Sequence, residues 1–287
     1  MKKVNHLHFF LLLFAGLFAA CQKNAQEQIL PNQETFSVSE KIYVPITGDN
    51  PGSTTGSRNN TDFNTFYGPT VQMGDGHVRS WINITRDDNT PTAIGIEFTD
   101  DAFQNLPHDP ANVADNIFQL TLHQKAKAVT PFDHITINWE EHGHPPVYFV
   151  PHFDMHFYKI TIADQMTITN LPTTAPPSGY LPASYVIQGA TVPQMGTHWL
   201  SPNFPELSAA HTPFTHTFIY GSNRGRVHFL EPMIKRDFLL SGVSVDRSFP
   251  QPARVSPTNT NYPTHYRIWK NLDNNRHYVA LTDFSPR

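Results

Sequence analysis

The chain reads as an all-β domain, an antiparallel sandwich or barrel with one or two short helices. Short runs of β-branched and aromatic residues recur at close spacing between clusters of Gly, Pro, Asn and Asp. Prolines number 25 in 287 residues, and 12% of the chain is aromatic against only 15% charged. That balance suits many turns and a surface built on Asn, Thr and Ser. No segment repeats at a fixed period, which argues against solenoids and propellers.

The N-terminus is a targeting segment. Lys2 and Lys3 precede an unbroken apolar run from Phe9 to Ala20, which ends in Leu17-Phe18-Ala19-Ala20-Cys21. Residues 1–20 thus form a signal peptide, and Cys21, the single cysteine of the chain, stands where bacterial lipoproteins are cleaved and acylated. An acyl anchor there would tether the protein to a membrane from the envelope side, periplasmic or cell-surface. Gln22 in place of Asp after the cysteine leans towards the outer membrane. Residues 21–40 are expected to be the lipidated cysteine and a flexible tether, and 41–287 a single β-rich domain beginning at Lys41-Ile42-Tyr43-Val44. The net charge of −4 becomes about −6 once Lys2 and Lys3 are removed, which argues against nucleic acid as a partner.

Strands are expected at Gly76–Thr85 and Pro91–Phe98, joined as a hairpin, and at 117–123, 132–139, 147–162, 185–192, 216–220, 226–231 and 266–270. The turn from Gly221 to Gly225 reads as a second hairpin. Thr99 followed by Asp100 and Asp101 has the form of a helix N-cap and acidic first turn, stopped by Leu106-Pro107. A second helix is expected at about 234–240.

Chemistry concentrates between Trp139 and Tyr158, where four of the 16 histidines lie. His152, Asp154 and His156 are spaced by two, so a strand would turn them to one face and Phe153, Met155 and Phe157 to the other. Met195-Gly196-Thr197-His198-Trp199 supplies another imidazole. Val227-His228-Phe229-Leu230-Glu231 ends an apolar run in a carboxylate on the side expected for Val227 and Phe229; such a carboxylate is costly to bury unless paired or ligated. His152, His156, His198 and Glu231 would form a three-histidine, one-carboxylate set for a divalent transition metal, with Zn, Mn, Fe and Ni all compatible. His144, in Gly143-His144-Pro145-Pro146, would be a further ligand, an outer-sphere support or a proton-handling group. Asp154 would orient an imidazole or act as the base; these two are the catalytic candidates. The alternative is a polar core or solvent-facing face without metal. His134, His211 and His216 read as structural or surface residues, and the strand reading removes His142 from the site. No Gly-x-Ser-x-Gly elbow, phosphate-binding Gly-rich loop or His-Glu-x-x-His helix is present.

Four blocks resemble a family of bacterial secreted and lipid-anchored proteins of unknown function typified by a Thermus thermophilus protein. They are Gly95-Ile96-Glu97-Phe98-Thr99 with Leu106-Pro107; Phe132-x-His134-Ile135 through Trp139 to Gly143-His144-x-Pro146; Pro151-His152-Phe153-Asp154-x-His156-Phe157-Tyr158; and Met195-Gly196-x-His198-Trp199 with Glu231-Pro232-Met233-Ile234. They span roughly residues 65–240. The resemblance implies one domain containing His144, His152, His156, His198 and Glu231, and supplies no reaction. This chain has Trp139-Glu140-Glu141 where the family has Trp-Asn-Pro, a difference that bears on access to the site. Two functions follow. One is an envelope lipoprotein with a binding or assembly role, slightly favoured because chemistry needs a pocket that sequence does not reveal. The other is a metal-dependent enzyme acting on a small organic molecule.

Overall fold

The computed structural model describes residues 63–108, 113–169 and 172–287. The signal peptide, Cys21, the tether and the run from Lys41 lie outside them. The elements are β1 (Phe63–Tyr67), β2 (Val71–Met73), β3 (Gly76–Thr85), β4 (Pro91–Thr99), β5 (Ile117–Thr121), α1 (Gln124–Val129), β6 (His134–Glu140), β7 (His152–Tyr158), α2 (Ile162–Met166), β8 (Val186–Val192), β9 (Gly196–Leu200), β10 (His216–Asn223), β11 (Arg226–Lys235), α3 (Arg236–Leu240), β12 (Val245–Ser248), β13 (Asn261–Tyr262), β14 (His265–Asn271), β15 (Arg276–Thr282) and β16 (Ser285–Pro286). Single 3₁₀ turns lie at Asp100–Phe103 and Val113–Asn116. Among the described residues no helix is long and apolar enough to cross a membrane.

Fourteen of the strands form two antiparallel seven-stranded sheets, neither closed into a barrel, and β13 pairs with β16. One runs β1-β3-β4-β15-β14-β12 with β2 paired to β3; the other runs β5-β6-β7-β11-β10-β9-β8. Period-two alternation explains how they pack. Val78, Ile82, Ile94, Ile96, Phe98, Val279 and Leu281 of the first sheet share one core with Ile135, Ile137, Phe153, Met155, Phe157, Leu230 and Ile234 of the second. The architecture is a sandwich. The outer face of the first sheet carries a smaller cluster around Trp81, Trp269 and Tyr278. The outer face of the second carries Tyr148, Tyr158, Leu200, Phe214, Ile219, Phe229 and Met233.

Several sequence expectations shift for local reasons. The expected strand at 147–162 contracts to β7, because Val147–Pro151 belong to a folded loop and Thr161 caps α2 by accepting from the Asp164 amide. The expected helix at 234–240 begins only at Arg236, since Ile234 and Lys235 still pair across β7. Thr99 does precede a helical turn, but its Oγ1 accepts from the His77 amide instead of capping it. The hairpin at 221–225 forms with a two-residue loop, Arg224-Gly225, both residues at positive φ, as a tight β-hairpin requires. A bulge beside it pairs Ser222 with Val227 and Gly221 with Phe229. The extra residue turns Val227 into the sandwich core, so Val227 and Glu231 do not share a face as the simple alternation implied.

Phe153 is fully buried against Trp139 and Phe103 at the centre of the sandwich. Phe153→Ala is expected to lower the unfolding free energy by about 3–5 kcal/mol in urea titrations. Leu272→Ala, at a position 81% exposed, should stay within about 0.5 kcal/mol of the parent.

Candidate metal centre

Strand β7 lies between β6 and β11, and all seven of its residues are buried. Its outer face presents His152, Asp154, His156 and Tyr158 beneath the loops that cover the second sheet. Glu140, Asn138, Thr136 and His134 stand opposite these on β6. Counting along the antiparallel register from Leu230↔Phe157 brings Glu231 beside His156. His198 reaches the same place from β9, paired with Gly221 on β10. Gly221 is essential to this layout, because a Cβ there would collide with the Phe229 ring. That ring covers the glycine and packs edge-on against His156, centroids 4.8 Å apart, and against His198 at 5.3 Å.

The loop before β7 supplies the remaining group. Gly143 adopts φ +67°, where a side chain would strike the Tyr148 carbonyl. The reversal pairs His144 with Tyr148 through two backbone hydrogen bonds of 3.1 and 3.2 Å. Tyr148 is buried edge-on against Phe214, which holds His144 over the strand.

The result is two triads. His144, His152 and Asp154 form one; His156, His198 and Glu231 form the other, with the ligand-type atoms of each within 4.8 Å of one another. The structure therefore divides the four expected metal ligands: it brings His156, His198 and Glu231 together and places His152 with Asp154 and His144. The two catalytic candidates from the sequence, Asp154 and His144, sit in the first triad. His142 is exposed and outside the cavity, His211 is exposed, and His134 is tied to Gln165 and Asp133. His216 is buried on the inner face against the Tyr266 hydroxyl.

The geometry within the triads is what a cation would require. His144 Nε2 lies 3.5 Å from Asp154 Oδ2, and His152 Nε2 lies 3.2 Å from Asp154 Oδ1. His156 Nε2 and His198 Nε2 lie 3.6 and 3.7 Å from Glu231 Oε2. Four of these atoms, His152 Nε2, Asp154 Oδ1, His156 Nε2 and Glu231 Oε2, are buried without any hydrogen-bond partner. Nδ1 of His152 donates to the Val150 carbonyl at 2.7 Å, and Nδ1 of His144 to the Pro145 carbonyl at 2.8 Å. In the neutral imidazoles these bonds place each Nε2 lone pair opposite a carboxylate oxygen, an opposition that either a proton or a cation between them relieves. Four donors around a tetrahedral ion at ~2.0–2.1 Å stand ~3.3 Å apart, close to the separations seen. Outer-sphere hydrogen bonds from Nδ1 to backbone carbonyls are the arrangement that fixes metal-binding imidazoles. The residues fit a divalent transition metal.

The two triads differ electrostatically. Burial tends to raise Asp154, but the His152 and His144 imidazoles beside it hold it well below the usual carboxylate range. Burial would lower His144, yet hydrogen bonding to Asp154 and its charge raise it to about 9. In the other triad burial dominates. It lowers His156 to about 3 and His198 to about 4, and it pushes Glu231 well above its ordinary value, with Asp154 and Glu140 adding to the effect. Without a cation the first triad is an ion pair and the second a neutral cluster.

Both triads open on one cavity of about 380 Å³, lined by His144, Asp154, His198 and Glu231 together with Tyr148, Leu200, Ile219, Met195 and the 188–192 segment of β8. Glu140 also lines it, its carboxyl raised by burial and by Asp154. Sequence reasoning missed Glu140, though it shares the β6 face of Asn138 and Thr136 at spacing two. A third group, Asp246, His265 and Asp283, lies near the surface. There Arg267 bridges the two aspartates at 3.2 and 3.1 Å and offsets half of their negative charge. The chain matches no protein-family model, no curated protein and no solved structure.

Elemental analysis of protein purified without an affinity tag should find transition metal. His156→Ala should remove the part held by the second triad and His152→Ala the part held by the first, while His211→Ala leaves the content unchanged. The metal should be released on acidification, since its ligands must be deprotonated. Metal-free protein whose stability is indifferent to chelators would contradict the assignment.

Proposed function

We propose that this protein is an envelope-anchored metalloprotein whose two neighbouring His₂-carboxylate sites hold divalent transition metal and act on a small organic molecule bound in the cavity between the outer face of the second sheet and its covering loops. The observation that carries this reading is that two groups of each triad, His144 with Asp154 and His198 with Glu231, line one cavity. Each triad supplies three protein donors, the number that leaves a coordination position open. A volume of about 380 Å³ suits a small molecule, and its walls are mainly apolar with a few convergent polar groups. A divalent ion in such a site would polarise a carbonyl or lower the pKa of a water. Tyr148, Leu200, Ile219 and Met195 would exclude bulk water and orient the apolar part of the ligand. Glu140, held towards its protonated form, stands at the cavity wall where it can give or take a proton.

The cavity moves the balance from a purely structural metal role towards chemistry, because a closed structural site has no such space beside it. The membrane anchor in this reading rests on the residues around Cys21 alone.

Cobalt-substituted protein separates open from closed sites. Addition of acetohydroxamate should shift its visible spectrum, and Ala190→Trp, at an exposed position on the cavity wall, should blunt the shift without altering cobalt content. A spectrum unmoved at saturating ligand would mean closed, structural coordination. For the anchor, Cys21→Ser should release the protein from membranes; retention in the membrane fraction would contradict lipidation.

A further inference from the structure

A second cavity, of about 470 Å³, is bounded by His228 and the β10–β11 turn. Lys159, Arg224 and Arg226 line it, together with Asn223, Thr167 and Asp164. Lys159 follows β7 directly, Arg224 sits in the tight β10–β11 turn, and Arg226 begins β11, so the hairpin register brings all three to one spot.

None of the three cations forms an ion pair among the described residues. Among the described residues Lys159 donates to the Ser256 carbonyl, at 3.0 Å, with its ammonium 5.8 Å from the centre of the Tyr262 ring. The one carboxylate on the wall, Asp164, is held by the Thr161 hydroxyl at 2.7 Å. Burial, and then Arg226, depress Lys159 to about 7. An ammonium held in that position without a counter-charge is costly unless a ligand supplies one.

We propose that this cavity is an anion site for the phosphate group of a small phosphomonoester, with Lys159, Arg224 and Arg226 as its cationic wall. With Lys159 protonated against the bound anion, three cations and one carboxylate leave two positive charges, which match a phosphate dianion. Arginine forks and a lysine point charge are the usual phosphate partners, and the amide of the Asn223 side chain adds a neutral donor. The volume exceeds what a bare phosphate fills, so the cavity has room for the organic part of the molecule.

Thermal unfolding of the full chain in inorganic phosphate tests this. At 10 mM, phosphate should raise Tm by about 3–8 °C over chloride at equal ionic strength. Lys159→Met removes the cation while keeping an apolar stem, and should unfold no earlier than the parent without phosphate yet lose most of the shift. Arg224→Asn, which suits the left-handed turn backbone, should at least halve the shift at unchanged phosphate-free Tm, and Arg224→Lys should restore part of it. Phosphate no better than chloride, or equal shifts in the parent and both charge-removing variants, would overturn the proposal. So would loss of the shift in His198→Ala, because phosphate would then be bound at the metal centre. Glycerol phosphate should match or exceed inorganic phosphate. Sedimentation of the Cys21→Ser chain with phosphatidic acid vesicles but not with phosphatidylcholine vesicles would place the same phosphate chemistry on a lipid headgroup.

Discussion

Strand β7 has no solvent face, and the structure around it answers that constraint. Its inner residues Phe153, Met155 and Phe157 lie in the sandwich core, while His152, Asp154 and His156 are buried on the outside. Taking imidazoles and a carboxylate out of water is unfavourable unless each polar atom gains a partner. The chain meets part of that demand through backbone carbonyls. The Gly143 reversal brings in His144, and the glycine at 221 makes room for the Phe229 ring between β9 and β11. The Nε2 atoms and carboxylate oxygens that remain unpartnered all point inward at one another. A bound cation would give these atoms a shared partner.

The triads are two positions on one strand, and they behave as one electrostatic cluster. Asp154 belongs to the first and acts on His156, His198 and Glu231 of the second. Its negative charge helps to keep Glu231 neutral until a cation arrives. Occupation of either site changes the field at the other, so the two sites are coupled through Asp154 without any movement of the backbone. The rigidity of the surrounding sheet serves this arrangement, since ligands on paired strands are held more closely than ligands on loops. His144 is the exception: it comes from a loop at the cavity mouth and is the most exposed group of either triad.

The outward alternation of His152, Asp154 and His156 was legible because a strand has period two and the intervening residues are large and apolar. The burial of Glu231 was legible for a similar reason. Its partner was not. Whether Glu231 meets His156 or His152 depends on the register of β11 against β7, which is set by long-range pairing and by the bulge at His228. His198 reaches the site only because residue 221 beside it is a glycine, a relation between positions far apart in sequence. Polar caps also concealed elements: His123 accepts from the Lys125 amide to start α1 where the sequence suggested the end of a strand. β15, from Arg276 to Thr282, went unrecognised although Tyr278, Val279, Ala280 and Leu281 are all buried, because both of its faces are covered and it lacks clean alternation.

The central claim is that the two triads enclose metal. Diffraction from crystals of the purified protein, collected above and below the absorption edge of the metal it carries, tests this most directly. The account predicts anomalous peaks within bonding distance of His156 Nε2, His198 Nε2 and Glu231 Oε2, and of His144 Nε2, His152 Nε2 and Asp154. Crystals of protein supplied with metal that show no peak at either triad, with the imidazoles hydrogen-bonded directly to the carboxylates, would contradict it.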